Sequence, residues 1–352
     1  MPRLVSVKIE GFKSIRSAKL DFHNLNILIG ANGAGKSNLL SFFTMARYLA
    51  AGEIRTFVGE QGGSNSLLWN GSKATSQISA ELTVDTGLNL LTLTLALIPA
   101  APDTLFPAVE RLELAGSPVP SNGERFGGHM EDVRRLLDQC QAFQFHDTSS
   151  EAKIRKEGYI HENDRLRRYG GNLAAFLYRL QQTNRPFYRR IVATIQQVTP
   201  FFEDFELVPS ALNPNTILLN WRERGSEYLL GPHQLSDGTL RAMALIALLL
   251  QPEDELPDVI LLDEPELGLH PAALQLLASL LRSVSHHSQV IVATQSLTLL
   301  NHFQPEDIVV VEREDGGTVF HRHTSDRLRE WLDEYTLGEL WEKNVIGGRP
   351  AR

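Results

Sequence analysis

Gly30-Ala31-Asn32-Gly33-Ala34-Gly35-Lys36-Ser37 fits the pattern G-x-x-x-x-G-K-S, and its flanks supply the context that the pattern needs. Leu25 to Ile29 is an apolar run of strand length, and Asn38 to Ala50 carries apolar residues at helical spacing. In a strand, loop, helix arrangement, glycines let backbone N–H groups approach phosphate oxygens without intervening side chains. The helix N-terminus adds a favourable dipole. Lys36 is then positioned to reach the β- and γ-phosphates of a nucleotide, and the Ser37 hydroxyl to ligate Mg²⁺.

Two further stretches complete the chemistry. Val259-Ile260-Leu261-Leu262-Asp263-Glu264 reads as a buried strand ending in two acids. At the strand's carboxyl end Asp263 would hold Mg²⁺ through water, and Glu264 would polarise an attacking water. Ahead of it, Leu235-Ser236-Asp237-Gly238-Thr239 opens a helical stretch running to Leu250 and resembles the ABC signature loop, Leu-Ser-Gly-Gly-Gln in transporters. A serine hydroxyl, a flexible glycine and helix-start N–H groups make a second anion site. One nucleotide has no need of two γ-phosphate sites, so the second is expected to serve ATP bound to a partner copy.

Together with the opening Ile9-Glu10-Gly11-Phe12-Lys13-Ser14-Ile15 and the run Asp263-Glu264-Pro265-Glu266-Leu267-Gly268-Leu269-His270-Pro271, these residues resemble the RecF/SMC/OLD branch of ABC-type AAA ATPases. The resemblance covers roughly Met1 to Ile98 and Leu230 to Glu312. It implies ATP and Mg²⁺ as cofactors and a head-to-tail homodimer that traps nucleotide. Nucleotide contacts are implied for Lys13, Asn32, Gly33, Ala34, Gly35, Lys36, Ser37 and Asn38, and for Ser236, Asp237 and Gly238 of a second copy. Ser37 and Asp263 become the metal ligands, and Glu264 and Lys36 the catalytic pair. The γ-phosphate sensor, commonly a histidine in a Thr-His-Ser context, falls on Gln295 of Thr294-Gln295-Ser296. Glutamine cannot take a positive charge, so slow hydrolysis is expected. The loop after the acidic pair lines the family's dimer contact, here Gly268, Leu269 and His270, although His270 before Pro271 also suits a helix cap. A family glutamine that links Mg²⁺ to the flanking sheet has two candidates, Gln61 and Gln77.

Composition sets the outer limits. A hydrophobic share of 42% and a charged share of 22% are ordinary for a globular chain of 352 residues, so a sizeable core is expected. The single cysteine, Cys140, excludes an intrachain disulfide and reads as an apolar residue in a reducing, cytoplasmic setting. The first ten residues alternate like a strand and not like a signal peptide, and the longest apolar run, Ala242 to Leu250, is too short to cross a bilayer. Net charge of −8 argues against a whole-surface grip on DNA. The segment from Ser121 to Arg190, however, holds 13 Arg/Lys against 9 Asp/Glu, so a local basic patch is conceivable. Arg165, Arg167, Arg168, Arg185, Arg189 and Arg190 read either as solvated helix positions or as a DNA or partner surface.

The expected fold is α/β: an ABC-type P-loop NTPase head, with a mixed sheet, flanking helices and an antiparallel β subdomain, interrupted by a mainly helical insertion. Ile78 to Val84 and Leu88 to Ile98 form a hairpin around Asp85-Thr86-Gly87. Ala100 to Ser121, with Pro102, Pro107, Pro118 and Pro120, reads as a loop-rich crossing. Met130 to Gln141, Leu173 to Gln182 and Pro186 to Val198 read as helices, with Asn172 as an N-cap. The division is 1–100 and 230–325 for the two halves of the head, 101–229 for a mainly helical lid, and 326–352 for an amphipathic tail with Trp331 and Trp341 that docks back on the core or on another protein. The middle leaves no room for long coiled-coil arms. Asp326, Asp333, Glu334 and Glu339 look like solvated helix positions, not nuclease metal ligands. With no other chemistry in the chain, the cycle is a switch that needs an output, and the resemblance, which takes in ATPase subunits of bacterial anti-phage systems, implies control of a separately encoded effector, a nuclease or toxin, in anti-phage defence. The alternatives are a RecF-like repair ATPase that clamps DNA itself and a non-hydrolysing ATP-gated scaffold for a toxic partner.

Overall fold

The computed structural model describes residues 2–120, 124–323, 328 and 331–348; Asp326 lies outside them. The chain opens with β1 (Arg3–Phe12), β2 (Ile15–Asp21) and β3 (Leu25–Ile29), then α1 (Lys36–Ala50) and α2 (Ile54–Glu60). Strands β4 (Ile78–Asp85), β5 (Leu90–Ala100), β6 (Thr104–Leu114) and β7 (Ser117–Pro118) lead to α3 (Glu124–Asp138) and β8 (Cys140–Phe143). The middle holds β9 (Gly158–Tyr159), α4 (Leu173–Thr183), α5 (Arg185–Val198), β10 (Phe202–Phe205), β11 (Thr216–Ile217), β12 (Trp221–Glu223) and β13 (Leu229–Leu230). Then come α6 (Asp237–Leu249), β14 (Val259–Asp263), α7 (Pro271–Val284), β15 (Gln289–Thr294) and α8 (Leu297–Leu300). Strands β16 (Ile308–Glu314) and β17 (Gly317–Arg322) and helix α9 (Leu337–Glu342) follow.

These elements form two compact units. The first comprises the described residues of Met1–Ala142, Pro257–Asp263 and Ser288–Arg352. It carries an antiparallel sheet ordered β2-β1-β4-β5-β6-β7 and a mixed sheet ordered β17-β16-β3-β15-β14-β8. In the mixed sheet, β16, β3, β15 and β14 run parallel, and β17 returns antiparallel to β16. Strands β3 and β15 are buried at every position, which explains why they are apolar apart from Asn26, Gln289 and Thr294. Helix α1 turns Leu39, Phe42, Phe43 and Met45 into the core, where Phe12 and Phe42, and Phe42 and Phe43, meet edge-on at 5.7 and 5.6 Å. Removing one such ring costs about 3–5 kcal/mol.

The second unit comprises Phe143–Leu256 and Glu264–His287, with α4, α5, α6 and α7 packed through Phe176, Ile191, Met243 and Leu277 and two small antiparallel sheets. Among the described residues no helix is long and apolar enough to cross a membrane.

Several expectations need correction. The stretch read as a loop-rich crossing contains β6, paired to β5 along its length. Proline removes one ladder donor, but Pro107 pairs with Leu97 beside a register shift, and β6 has only the short β7 beyond it, so its unpaired side tolerates proline. Arg165, Arg167 and Arg168 lie in a loop and not on a helix. Asn172 stands at the N-cap position of α4 as expected, but its side chain makes no capping bond: its buried amide instead accepts from the Arg167 N–H at 2.8 Å and donates to the Glu162 and Arg165 carbonyls, both at 2.7 Å. Asp333 and Glu334 are exposed in a turn, whereas Glu339 closes a capping box with Thr336. Cys140 is buried, and that burial pushes its thiol well above the ordinary range, so it behaves as a small apolar residue. The tail does dock on the core: Leu337 and Leu340 are buried, and the Gly338 N–H donates to the Asn301 side chain at 2.7 Å.

Candidate functional site

The glycine-rich loop leaves β3 at Ile29 and enters α1 at Lys36. Each of its glycines has its own reason. A Cβ on Gly30 would lie 2.2 Å from the Val311 carbonyl oxygen, and one on Gly35 would lie 2.1 Å from the Thr318 hydroxyl. Gly35 has φ 118° and Gly33 φ 78°, conformations that side chains disfavour. Unlike the other two, Gly33 faces open space. Helix α1 begins with no side-chain cap and no acidic residue in its first turn, so its positive end is available to an anion. Lys36 is 5% exposed, and its ammonium donates to the Gly30 carbonyl at 2.6 Å and the Ala31 carbonyl at 3.1 Å. Asn32 and Ser37 are exposed, Ala34 is buried, and the Asn38 amide donates to Ser14 Oγ at 2.6 Å.

Strand order explains what gathers around the loop. In the parallel register Ile29 of β3 pairs with Thr294 of β15, and Ala293 pairs with Asp263 of β14. The phosphate-type loop, Gln295 and Asp263 therefore emerge together at the carboxyl ends of three neighbouring parallel strands, the edge where α/β sheets collect ligands. Ser37 Oγ lies 3.2 Å from Asp263 Oδ1, so a hydroxyl and a carboxylate of the type that holds Mg²⁺ are side by side. Glu264, the next residue, has φ 43°, a left-handed backbone that a glutamate adopts only where its surroundings impose it.

Lys13 also has left-handed backbone, at φ 48°. Its ammonium donates to Ser41 Oγ and to Gln61 Oε1, each at 2.7 Å, and burial pulls its pKa below the ordinary lysine value. Gln77 instead donates to Ser79 Oγ at 3.0 Å in an exposed position. Of the two glutamines left open by sequence, Gln61 is therefore the one tied to the lysine beside α1. Sequence reasoning named Ser14 only within the opening run, with no contact assigned to it, and gave no weight to Thr318 and Gly348. Thr318 donates to the Ala34 carbonyl at 2.7 Å, and the Gly348 carbonyl accepts the Ala31 N–H at 2.9 Å. No local signal could have found them, because each reaches the loop from a remote part of the chain.

In the second unit, Ser236 caps α6, its Oγ accepting the Thr239 N–H at 3.1 Å. Asp237 accepts from the buried Arg155 at 2.7 Å, and this bond holds its carboxyl below the usual carboxylate range. Arg155 also donates to the Leu235 carbonyl at 3.1 Å and to the Pro232 carbonyl, so one guanidinium fixes the entry to the loop. Gly238 is required by packing as well as by flexibility, since a Cβ there would lie 2.2 Å from the Gly268 carbonyl oxygen. Arg241 binds the Leu267 carbonyl at 3.1 Å, tying the same two loops a second time. His270 caps α7 through Nδ1, which accepts the Ala272 N–H at 3.3 Å. Gly238→Ala is expected to lower stability by about 1–3 kcal/mol, read from the midpoint of denaturant unfolding, because a backbone atom cannot yield as a side chain would. A midpoint equal to wild type would contradict this packing.

The family model described as "AAA domain, putative AbiEii toxin, Type IV TA system" matches residues 126–301, and one described as "AAA ATPase domain" matches residues 3–47. No curated protein sequence matches the chain. Among solved structures, an SmcHead bound to the C-winged helix domain of ScpA is similar at a TM-score of 0.66 and 15% identity, covering 93% of this chain and 99% of that one. A Smc head domain from Pyrococcus furiosus, bound to the C-terminal domain of ScpA, reaches 0.63 at 16% identity, covering 95% and 99%. The Smc head of Pyrococcus yayanosii reaches 0.56 at 12% identity, with the same coverage of 95% and 99%. With the SMC-head fold across nearly all of its length and half of it matched by the family model, the chain belongs to the family described as AAA domain, putative AbiEii toxin, Type IV TA system.

Proposed function

We propose that the chain binds Mg²⁺·ATP on Gly30–Ser37 and Asp263, hydrolyses it slowly, and closes head-to-tail on a second copy whose Ser236–Gly238 loop completes the site. The observation that carries this reading is the 3.2 Å approach of Ser37 Oγ to Asp263 Oδ1 beside an uncapped helix N-terminus and a buried lysine. A hydroxyl paired with a carboxylate is the donor set that Mg²⁺ prefers, and the open space above Gly33 leaves room for phosphate oxygens. When bound, the ion would neutralise charge on the β- and γ-phosphates.

The chain's own residues do the rest. Lys36 exchanges its two carbonyl partners for phosphate oxygens. Glu264 accepts a hydrogen bond from the attacking water, whose oxygen bonds to the γ-phosphorus as the bridging bond to ADP breaks. Gln295 donates to the γ-phosphoryl oxygen but brings no positive charge, which favours slow turnover. Gln61, held by Lys13, takes the position that couples nucleotide to the flanking sheet.

The cycle is read as control of a separately encoded effector, a nuclease or toxin in anti-phage defence, with 101–229 as the insertion through which an output is passed. That a solved SmcHead binds the winged-helix domain of ScpA is a precedent for such a head carrying a separate protein. A second reading, direct contact with DNA, is favoured by Arg185, Arg189 and Arg190, all exposed on α5. It requires ATP- and salt-dependent DNA binding by the purified protein.

Ser236→Arg tests the dimer. ATP affinity of the single chain should stay within about threefold of wild type, because no contact of the chain's own loop is removed. The ATP-dependent dimer seen by sedimentation should disappear, because a bulky cation replaces a small hydroxyl at a desolvated contact. Dimerisation unaffected by this substitution would refute the arrangement.

A further inference from the structure

We propose that Thr318 is a positioning residue of the phosphate loop, holding the Ala34–Gly35 peptide in the orientation that presents the Gly35 N–H to a nucleotide phosphate. The proposal rests on the reading of Gly30–Ser37 as the nucleotide site.

Thr318 lies on β17, fully buried, in a stretch with no motif around it. Its Oγ1 donates to the Ala34 carbonyl at 2.7 Å and lies 2.7 Å from Ser14 Oγ. Ser14 Oγ in turn accepts from the Asn38 amide at 2.6 Å. A hydroxyl has one proton, so these contacts have one consistent direction. The Asn38 amide donates to Ser14, Ser14 donates to Thr318, and Thr318 donates to the Ala34 carbonyl. The chain of bonds starts in the first turn of α1 and returns to the loop that precedes it, closing a brace around Gly35. Such chains strengthen cooperatively in a buried setting. The backbone holds the brace in place, with the Thr318 N–H donating to the Ser14 carbonyl at 2.9 Å.

The consequence follows from peptide geometry. In a planar trans peptide the N–H points opposite to the C=O. With the Ala34 carbonyl fixed on Thr318, the Gly35 N–H faces away from β17. Gly35 has φ 118°, a conformation open to a glycine that leaves the peptide free to rotate unless something holds it. The glycine is also needed for the brace itself, since a Cβ would lie 2.1 Å from Thr318 Oγ1 and 2.9 Å from Ser14 Oγ.

The test is the affinity of the full chain for a non-hydrolysable Mg²⁺·ATP analogue by calorimetry, with thermal midpoints recorded with and without nucleotide. Thr318→Val keeps the shape and removes the donor, and should raise Kd about tenfold. Thr318→Ser keeps the donor and should stay within about twofold. Ser14→Ala leaves the last bond in place without its support and should raise Kd about threefold. This variant decides the question if the valine chain fails to fold. A merely structural role would lower the nucleotide-free midpoint while leaving Kd at the wild-type value, and that result in Thr318→Val or Ser14→Ala overturns the proposal. Failure of the wild type to bind the analogue would instead remove the nucleotide reading beneath it.

Discussion

Lys36→Ala is expected to weaken Mg²⁺·ATP binding by about 100-fold or more while leaving the chain folded. Lys36 is 5% exposed and its ammonium is already bonded to two carbonyls of its own loop, so its direction is set before any ligand arrives. Charge-assisted bonds to phosphate are each worth about 1.5–3 kcal/mol, and losing two of them gives at least about 3 kcal/mol, which is the stated factor. The fold survives because the carbonyls released, those of buried Gly30 and half-buried Ala31, belong to the loop and not to a sheet ladder. Calorimetric titration with ATP checks the affinity, and circular dichroism the fold. A Kd within about threefold of wild type would remove Lys36 from the site.

Glu264→Gln should separate binding from hydrolysis. Loss of a positioned base costs about 10²- to 10⁴-fold, so hydrolysis in a single turnover should fall by at least about 100-fold. Glutamine matches glutamate in shape, so the left-handed backbone at φ 43° and the turn it begins should persist, and ATP should still bind. With chemistry blocked, the ATP-bound dimer should accumulate in sedimentation experiments, whereas ADP should leave monomer. Unchanged hydrolysis would show that Glu264 is not the group that polarises water. It would move the account towards a scaffold that ATP gates by binding alone.

The strand, loop, helix pattern around Gly30–Ser37 was legible because local constraints dominate there: an apolar strand, two positive-φ glycines and a helix start all lie within one stretch. The acidic pair at the end of β14 was legible for the same reason. What the sequence could not show is how those pieces are held. Gly30 and Gly35 face Val311 and Thr318, remote in the chain, and no pattern near the loop announces that approach. That Gln61 and not Gln77 meets the Lys13 ammonium is a tertiary fact. Proline misled at β6, where the sheet's outer position makes a missing donor tolerable. Asn172 misled in another way: the residue type suited a cap, but its amide is spent on the loop that carries Arg165 and Arg167. In the tail, the apolar spacing of Leu337 and Leu340 foretold docking. The bond from the Ala31 N–H to the Gly348 carbonyl left no trace in the pattern.

The most direct measurement of the central claim is ATP hydrolysis by a mixture of two inactive variants, Lys36→Ala and Ser236→Arg. If each nucleotide is gripped by the loop of one copy and covered by the Ser236 loop of the other, a mixed dimer contains one intact site. That site combines the unaltered Gly30–Ser37 loop of the Ser236→Arg copy with the unaltered signature loop of the Lys36→Ala copy. The mixture should then recover hydrolysis that neither variant shows alone. A mixture as inactive as its components, or a Ser236→Arg chain that hydrolyses ATP unaided, would contradict the shared site.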